Sequence, residues 1–199
     1  SDVPLYCTNI ALVEHGVVTA AAIGVGRSGE LLYAERGAGA WLVTDSGATR
    51  IEHPNRRAGD MGSVTADDSS TDREQITRRA AASDASNVIW IHGRGKAFAE
   101  FARTIWGTER WYLWAFSSTV AYAYLAAGRI SGIVHVGTPA QAKEPPVHTA
   151  AGCLVVQEAG ATITDADTGG AWTLATRSFV IAATAQLHRE LAALVEQSR

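Results

Sequence analysis

The chain has only two cysteines, Cys7 and Cys153, far apart and outside any metal-binding or redox spacing. That leaves no disulfide framework and no cysteine zinc cluster, and both thiols read as reduced, buried small residues in a reducing compartment. No apolar run approaches the roughly 20 residues that a membrane span needs. The opening Ser-Asp-Val-Pro lacks the basic and apolar regions of a signal peptide, so the expected location is cytoplasmic, with no membrane partner. An excess of one charge is missing too: 17 basic residues face 20 acidic ones, for a net charge of −3 without strong segregation. No positive field exists to hold nucleic acid, and no such partner is expected. Neither an internal repeat nor a low-complexity tract interrupts the chain. What remains is 199 residues, 47% hydrophobic and 19% charged. That is the balance of a globular protein long enough to bury a core without staples.

Runs CTNIALV and VVTAAAIGV flank Glu14-His15-Gly16, and ELLYAERGAGAWLV follows Arg27-Ser28-Gly29. They predict three strands, antiparallel because a few turn residues close a hairpin whereas a parallel crossover needs about a dozen or more. Segment 44–60 is polar and rich in turn formers, and reads as a connection carrying one short strand at 48–52. It marks the expected boundary between an antiparallel sheet portion, 1–60, and an α/β portion, 61–199. In the second portion the pattern predicts a strand at 62–66, a helix at 71–83, a strand at 88–92, a helix at 96–106 and a strand at 111–115. A helix at 118–127 is stopped by Gly128 and followed by a strand at 132–136. After a loop at 137–146 comes a helix of small and aliphatic residues at 149–158, closed by Gly160. Strands near 161–165 and 179–183 and a helix at 185–197 complete a layered α/β arrangement.

HGRG at 92–95 puts two glycines and an arginine between an apolar strand and a helix, where an anion-binding turn can form. A strand-to-helix turn requires glycine in any case, and neither the GxGxxG nor the GxxxxGK[ST] spacing is present. Ser117, Ser118 and Thr119 sit where a helix begins, suited equally to capping and to substrate contact. Asp67 and Asp68 precede a capping stretch and read as turn and helix-dipole residues. Asp165 and Asp167, ahead of Thr168-Gly169-Gly170, read as one hairpin connection that needs no ligand. His135 in a strand and His148 just ahead of a helix are placed either to face a cleft at strand ends or to serve as hydrogen-bonded structural residues. No Ser-His-Asp or Cys-His set assembles from spacing alone. The six tryptophans suit core packing or an apolar interface.

The stretch VHTAAGCLVVQEAGATITDADTG (147–169) resembles the second signature of the inositol monophosphatase family, W-D-x-A-A-G followed by an aliphatic run, E-A-G and a D-x-x-G turn. FSSTVAYAYLAAGRISGIVH (116–135) is similar to the family's G-S-A-A-x-x-x-A-Y-V-A-A-G-R-x-x-G-Y-W-E segment. SFVIAATAQLHRELAALV (178–195) is similar to its closing strand and helix, and residues 3–42 to the long strands after its first signature, whereas 44–110 matches poorly. The resemblance implies a layered α-β-α-β-α sandwich of the inositol monophosphatase and sugar phosphatase type, N-terminally truncated. It also implies Mg²⁺-dependent phosphomonoester hydrolysis, in which carboxylates hold ions that activate a water and neutralise the phosphoryl oxygens.

This chain departs from the family pattern where that cage is built. The first signature, D-P-x-D-G-T, and the glutamate ahead of it are expected before Ser1, and Asp-Gly occurs nowhere in the sequence. By the motif, Val147 stands for the signature tryptophan, His148 for its metal-binding aspartate and His135 for the substrate-binding glutamate. Segment 136–147 is much longer than its family counterpart. The positive end of a helix disfavours imidazolium at His148, and a neutral imidazole suits Zn²⁺ or a softer metal better than Mg²⁺. The expectation is a phosphatase-like pseudoenzyme: a degenerate metal site whose Mg²⁺ ligands are mostly absent, with weak or no phosphomonoesterase activity. Ser117, Ser118, His135, Glu144 and His148 are expected to line a cleft for a small phosphorylated molecule or polyol. One alternative is an active or repurposed phosphatase or biosynthetic enzyme in which His135 and His148 form an acid/base pair. The other is a non-enzymatic assembly module, with a homodimer or other partner covering the missing N-terminal region.

Overall fold

The computed structural model describes residues 6–26, 28–51, 87–93, 95–108, 110–114, 118–137 and 147–198. The first part is an antiparallel meander of five strands in sequence order, β1 (Cys7–Glu14), β2 (Val17–Val25), β3 (Glu30–Glu35), β4 (Gly39–Thr44) and β5 (Gly47–Ile51). His15 (φ 51°) and Gly16 (φ 78°) both take left-handed backbone, as a two-residue hairpin turn must if its twist is to match that of the strands it joins. The third predicted strand is in fact two. Gly37 (φ 77°) and Gly39 (φ 107°) are left-handed, so ELLYAERGAGAWLV folds back on itself with Leu32 opposite Leu42 and Tyr33 opposite Trp41. Its apolar flanks had hidden the turn. The short strand expected at 48–52 forms as β5. The strand expected at 62–66 and the helix at 71–83, with Asp67 and Asp68 between them, lie outside the described residues.

The remaining elements are β6 (Asn87–Gly93), α1 (Gly95–Trp106), β7 (Trp111–Trp114), α2 (Ser118–Ala126), β8 (Gly132–Val136), α3 (Val147–Glu158), β9 (Thr162–Asp165), β10 (Phe179–Ala182) and α4 (Ala185–Gln197). The second sheet has the order β7-β6-β8-β10-β9. Its first three strands are parallel, and β10 runs antiparallel to both β8 and β9. Helix α3 starts two residues earlier than expected, so His148 is its second residue rather than a residue ahead of it. The Pro145-Pro146 pair just upstream suits such a start, because a helix needs no amide partner there. Left-handed Gly128 (φ 71°) and Gly160 (φ 100°) end α2 and α3. The amides after them, Arg129 and Ala161, reach back to Tyr124 O (2.8 Å) and Val156 O (3.0 Å) and satisfy carbonyls that would otherwise be orphaned.

Helices α2 and α3 are apolar around their whole circumference, whereas α1 and α4 are apolar on one side. That difference decides the layering, because an all-round apolar helix must be covered on all sides. The inner face of the meander (Val18, Ile23, Leu32, Ala40) packs on Leu154 and its neighbours, which pack in turn on Trp90, Ile133, Phe179 and Ile181 of the second sheet. The far side of that sheet (Ile89, Val134, Val180) is covered by Phe101 and Ile105 of α1 and by Leu187 and Leu191 of α4. The described layers therefore run sheet, helices, sheet, helices. Helices α2 and α3 meet closely: a Cβ on Gly152 would lie 2.4 Å from Tyr122 Cγ. Glu158, buried at the end of α3, accepts hydrogen bonds from the amides of Gly37 (3.0 Å) and Gly39 (3.1 Å), tying that helix to the β3–β4 turn. Cys153 is fully buried as expected, but Cys7 only partly so, and both are free. No helix among the described residues is long and apolar enough to cross a membrane, which says nothing of a β-barrel.

Candidate functional site

Strands β6, β7 and β8 run the same way, so their carboxyl ends share one edge of the sheet. Each is followed by a helix that returns toward the other edge, which brings the N-termini of α1, α2 and α3 to the carboxyl-end edge. The packing places α1 on one face and α2 and α3 on the other. Adjacent strands β6 and β8 thus send their connections to opposite faces, and such a divergence is the switch point at whose crevice α/β sheets generally bind ligands. Three helix N-termini at that edge bring positive partial charge, an environment suited to a phosphoryl group.

His135 sits beside that crevice. The β6–β8 register pairs it with His92, and the two rings meet edge to face, centroids 4.8 Å apart at 80°. Trp90 stacks on His92 at 5.3 Å, and Phe179 lies 5.9 Å from His135. His135 is only 4% exposed. The backbones at the strand ends pack so closely that glycine is needed. A Cβ on Gly93 would lie 2.6 Å from Val136 O, and one on Gly137 would lie 2.6 Å from Arg177 O. Gly95 (φ 79°) opens α1 in a left-handed conformation. Both glycines of HGRG therefore answer to backbone geometry.

Of the residues expected from sequence, His135 lies at the crevice and His148 is the second residue of α3, whose N-terminus opens on the same edge. Ser118 is the first residue of α2. Ser117 and Glu144 lie outside the described residues. Sequence reasoning missed His92, although a signal was present: in Val88-x-Trp90-x-His92 the period of two sets the histidine on the face of the buried tryptophan. Asp165 behaves as expected, its Oδ1 accepting from the amides of Asp167 (2.8 Å) and Thr168 (3.0 Å) within its own turn. Trp90 is fully buried in the core, as core packing predicts, and Trp106 is 71% exposed.

The cysteines offer no nucleophile. Burial pushes the Cys153 thiol far above its ordinary range, against a smaller opposing pull from Tyr122 and Thr149, and burial raises Cys7 as well. Among the described residues no group of three or more His, Cys, Asp or Glu side chains is close enough to share a metal ion. Two grooves lie elsewhere. One of about 740 Å³ is bordered by Glu30, Asp45, Tyr124 and Arg129, and one of about 510 Å³ lies between the Asp165–Gly169 turn and α4. Neither is lined by His92 or His135.

A sequence model of the inositol monophosphatase family matches residues 1–199. No curated protein matches. Among solved structures, the IMPase of Thermotoga maritima is 22% identical with a TM-score of 0.67, the match covering 98% of this chain and 62% of that one. The extragenic suppressor protein SuhB of Bartonella henselae is 19% identical with a TM-score of 0.67, covering 98% and 63%. SuhB of Mycobacterium tuberculosis is 18% identical with a TM-score of 0.65, covering 99% and 66%. The likeness at these identities is one of fold, and the chain spans less than two thirds of the length of each of these structures.

Proposed function

The chain belongs to the inositol monophosphatase family, and from that premise we propose that it holds a small phosphorylated or polyol-like molecule at the carboxyl ends of β6 and β8, with weak or no Mg²⁺-dependent phosphomonoesterase activity. The observation that carries this reading is the in-register pair His92 and His135 at the divergence of β6 and β8. The family generally uses Mg²⁺, a hard ion that takes oxygen ligands and keeps much of its own water. Imidazole nitrogens do not fit it. His148 occupies the first turn of α3 where the family motif carries its metal-binding aspartate. It belongs to the proposed site with Ser118, the first residue of α2, and with Ser117 and Glu144. In this arrangement the helix N-termini receive the phosphoryl oxygens and the histidines form the wall against the rest of the molecule.

The test is hydrolysis of a panel of inositol, sugar and nucleotide phosphates with Mg²⁺, Mn²⁺ and Zn²⁺, alongside calorimetric binding of the same compounds. The expected result is binding that His135→Ala weakens, with little turnover. Brisk Mg²⁺-dependent turnover overturns the reading. The placing of His135 near the carboxyl end of β8 and of His148 in the first turn of α3 favours one second reading, an enzyme that moves a proton through His135 and His148. Under that reading turnover appears without Mg²⁺, and His148→Ala abolishes it while leaving binding in place.

A further inference from the structure

Register makes His92 and His135 face the same way. They are paired across the parallel strands β6 and β8, and each follows by two residues a side chain of the inner core, Trp90 and Ile133. Both therefore lie on the face of the sheet that α2 and α3 cover. Their ring centres are 4.8 Å apart, which matches the usual strand spacing of about 4.8 Å, so the rings stand side by side without splaying. Trp90 stacks on His92 at 5.3 Å and 11°, and Phe179 lies 5.9 Å from His135. Rings carried on central strands and flanked by buried aromatics are held in place before any ligand arrives.

We propose that this pair binds a borderline transition dication, Zn²⁺ above all, in place of the Mg²⁺ that the family generally uses. Imidazole is the commonest protein ligand for such ions and a poor one for Mg²⁺. Zinc bonds to a ring nitrogen at about 2.0–2.1 Å, which puts it about 3.2 Å from the ring centre, and two rings at the tetrahedral angle then have centres about 5 Å apart. The observed 4.8 Å meets that separation. Among the described residues no third His, Cys, Asp or Glu side chain stands close enough to share the ion. The two nitrogens fill half of a tetrahedral shell, and water or ligand oxygens serve for the other half. Metal-bound imidazoles are neutral, so they leave the charge of the ion uncompensated, and the helix N-termini at the same edge oppose it. A phosphoryl group supplies the missing negative charge, so metal and phosphorylated ligand tighten each other by the same factor. The metal site stands on the histidine geometry, whereas this coupling rests on the reading of the strand ends as a phosphoryl site.

Calorimetric titration of the untagged chain with Zn²⁺, Co²⁺ and Mg²⁺, without and with an inositol phosphate, tests both. The expected result is a single Zn²⁺ per chain, bound more tightly with the phosphate present, Co²⁺ showing the visible bands of a four-coordinate ion, and no Mg²⁺ uptake at the same concentrations. His92→Gln and, separately, His135→Gln each weaken Zn²⁺ binding by about tenfold or more, since even substitutions outside the ligand shell cost that much. His15→Asn, on the β1–β2 turn, leaves it unaltered, and asparagine tolerates the left-handed backbone there. If either glutamine variant fails to fold, the unaltered chain still decides: NMR signals of these two imidazoles, identified by their mutual contact, shift with the first equivalent of Zn²⁺. Zinc binding that survives both substitutions, imidazole signals that do not move, or no uptake with or without the phosphate overturns the proposal. Zinc uptake that both substitutions abolish but the phosphate does not tighten supports the metal site and overturns only the phosphoryl reading of the strand ends.

Discussion

Removing the Glu158 carboxylate should loosen the molecule far from any surface defect. Its two oxygens accept from Gly37 at 3.0 Å and Gly39 at 3.1 Å, and it links the end of α3 to a turn more than a hundred residues earlier in the chain. The two amides differ in environment. Gly37 is exposed and Gly39 is buried, so in Glu158→Ala water can replace the partner of the first but not of the second. A hydrogen bond to a carboxylate contributes about 1.5–3 kcal/mol, and a buried donor left without a partner costs about 1–3 kcal/mol. Discounting the rehydrated amide, Glu158→Ala should cost about 3 kcal/mol. Glu158→Gln should cost nearly as much, because its one carbonyl serves one amide while its NH₂ faces the other. Urea titration should show a lower midpoint at unchanged slope, and thermal melting a drop of about 6–12 °C, given about 2–4 °C per kcal/mol at this size. Hydrogen exchange at Gly37 and Gly39 should accelerate in both variants. Full stability in Glu158→Gln, or a loss below about 0.5 kcal/mol in Glu158→Ala, would refute the clamp.

Three further outcomes follow from the same geometry. Gly152→Ala places a methyl 2.4 Å from Tyr122 Cγ. It should therefore cost about 1–3 kcal/mol by overpacking despite the better helix propensity of alanine, and a raised melting temperature would contradict the α2–α3 contact. Burial holds the His188 imidazole below its ordinary value, with Nε2 3.0 Å from Thr164 Oγ1. The folded state thus prefers the neutral ring: its contribution is complete above the ordinary histidine value of about 6.5 and is lost as pH falls through the lower folded value. His188→Gln should flatten that part of the stability–pH curve, and an unchanged slope counts against the assignment. Hydrogen bonding from the Arg129 guanidinium, one contact at 2.7 Å, holds the Glu30 carboxyl below its usual range. That stability is present above the unfolded carboxyl value and is lost as pH falls through the folded one. Because the Arg129 side chain is 36% exposed but that of Glu30 only 12%, Arg129→Met should cost about 1–2 kcal/mol, and the difference should shrink only modestly in high salt when unfolding is repeated there.

Much of this was legible along the chain because it is short-range. Left-handed turn residues, helix-ending glycines and runs of small apolar residues each act within a few positions. They located β2, β8 and α4, and they explain why α2 and α3 are sandwiched between sheets while α1 and α4 are covered on one side. The same local reading failed at 30–43, where two strands of similar apolar character flank a turn and look like one. Of the crevice, His135 was legible from its place in a strand. Its neighbour His92 was passed over, because the contact depends on β6 lying beside β8 with β7 at the outside.

Sequence alone therefore determined the family, the element types and the turns that separate most of them. The tertiary structure decided which side chains meet: His92 with His135, Glu158 with Gly37 and Gly39, and an apolar sheet face that no described helix covers. The physical reason is range. Periodicity and turn conformation depend on adjacent residues, whereas strand order and packing partners emerge only when distant segments compete for the same buried surface.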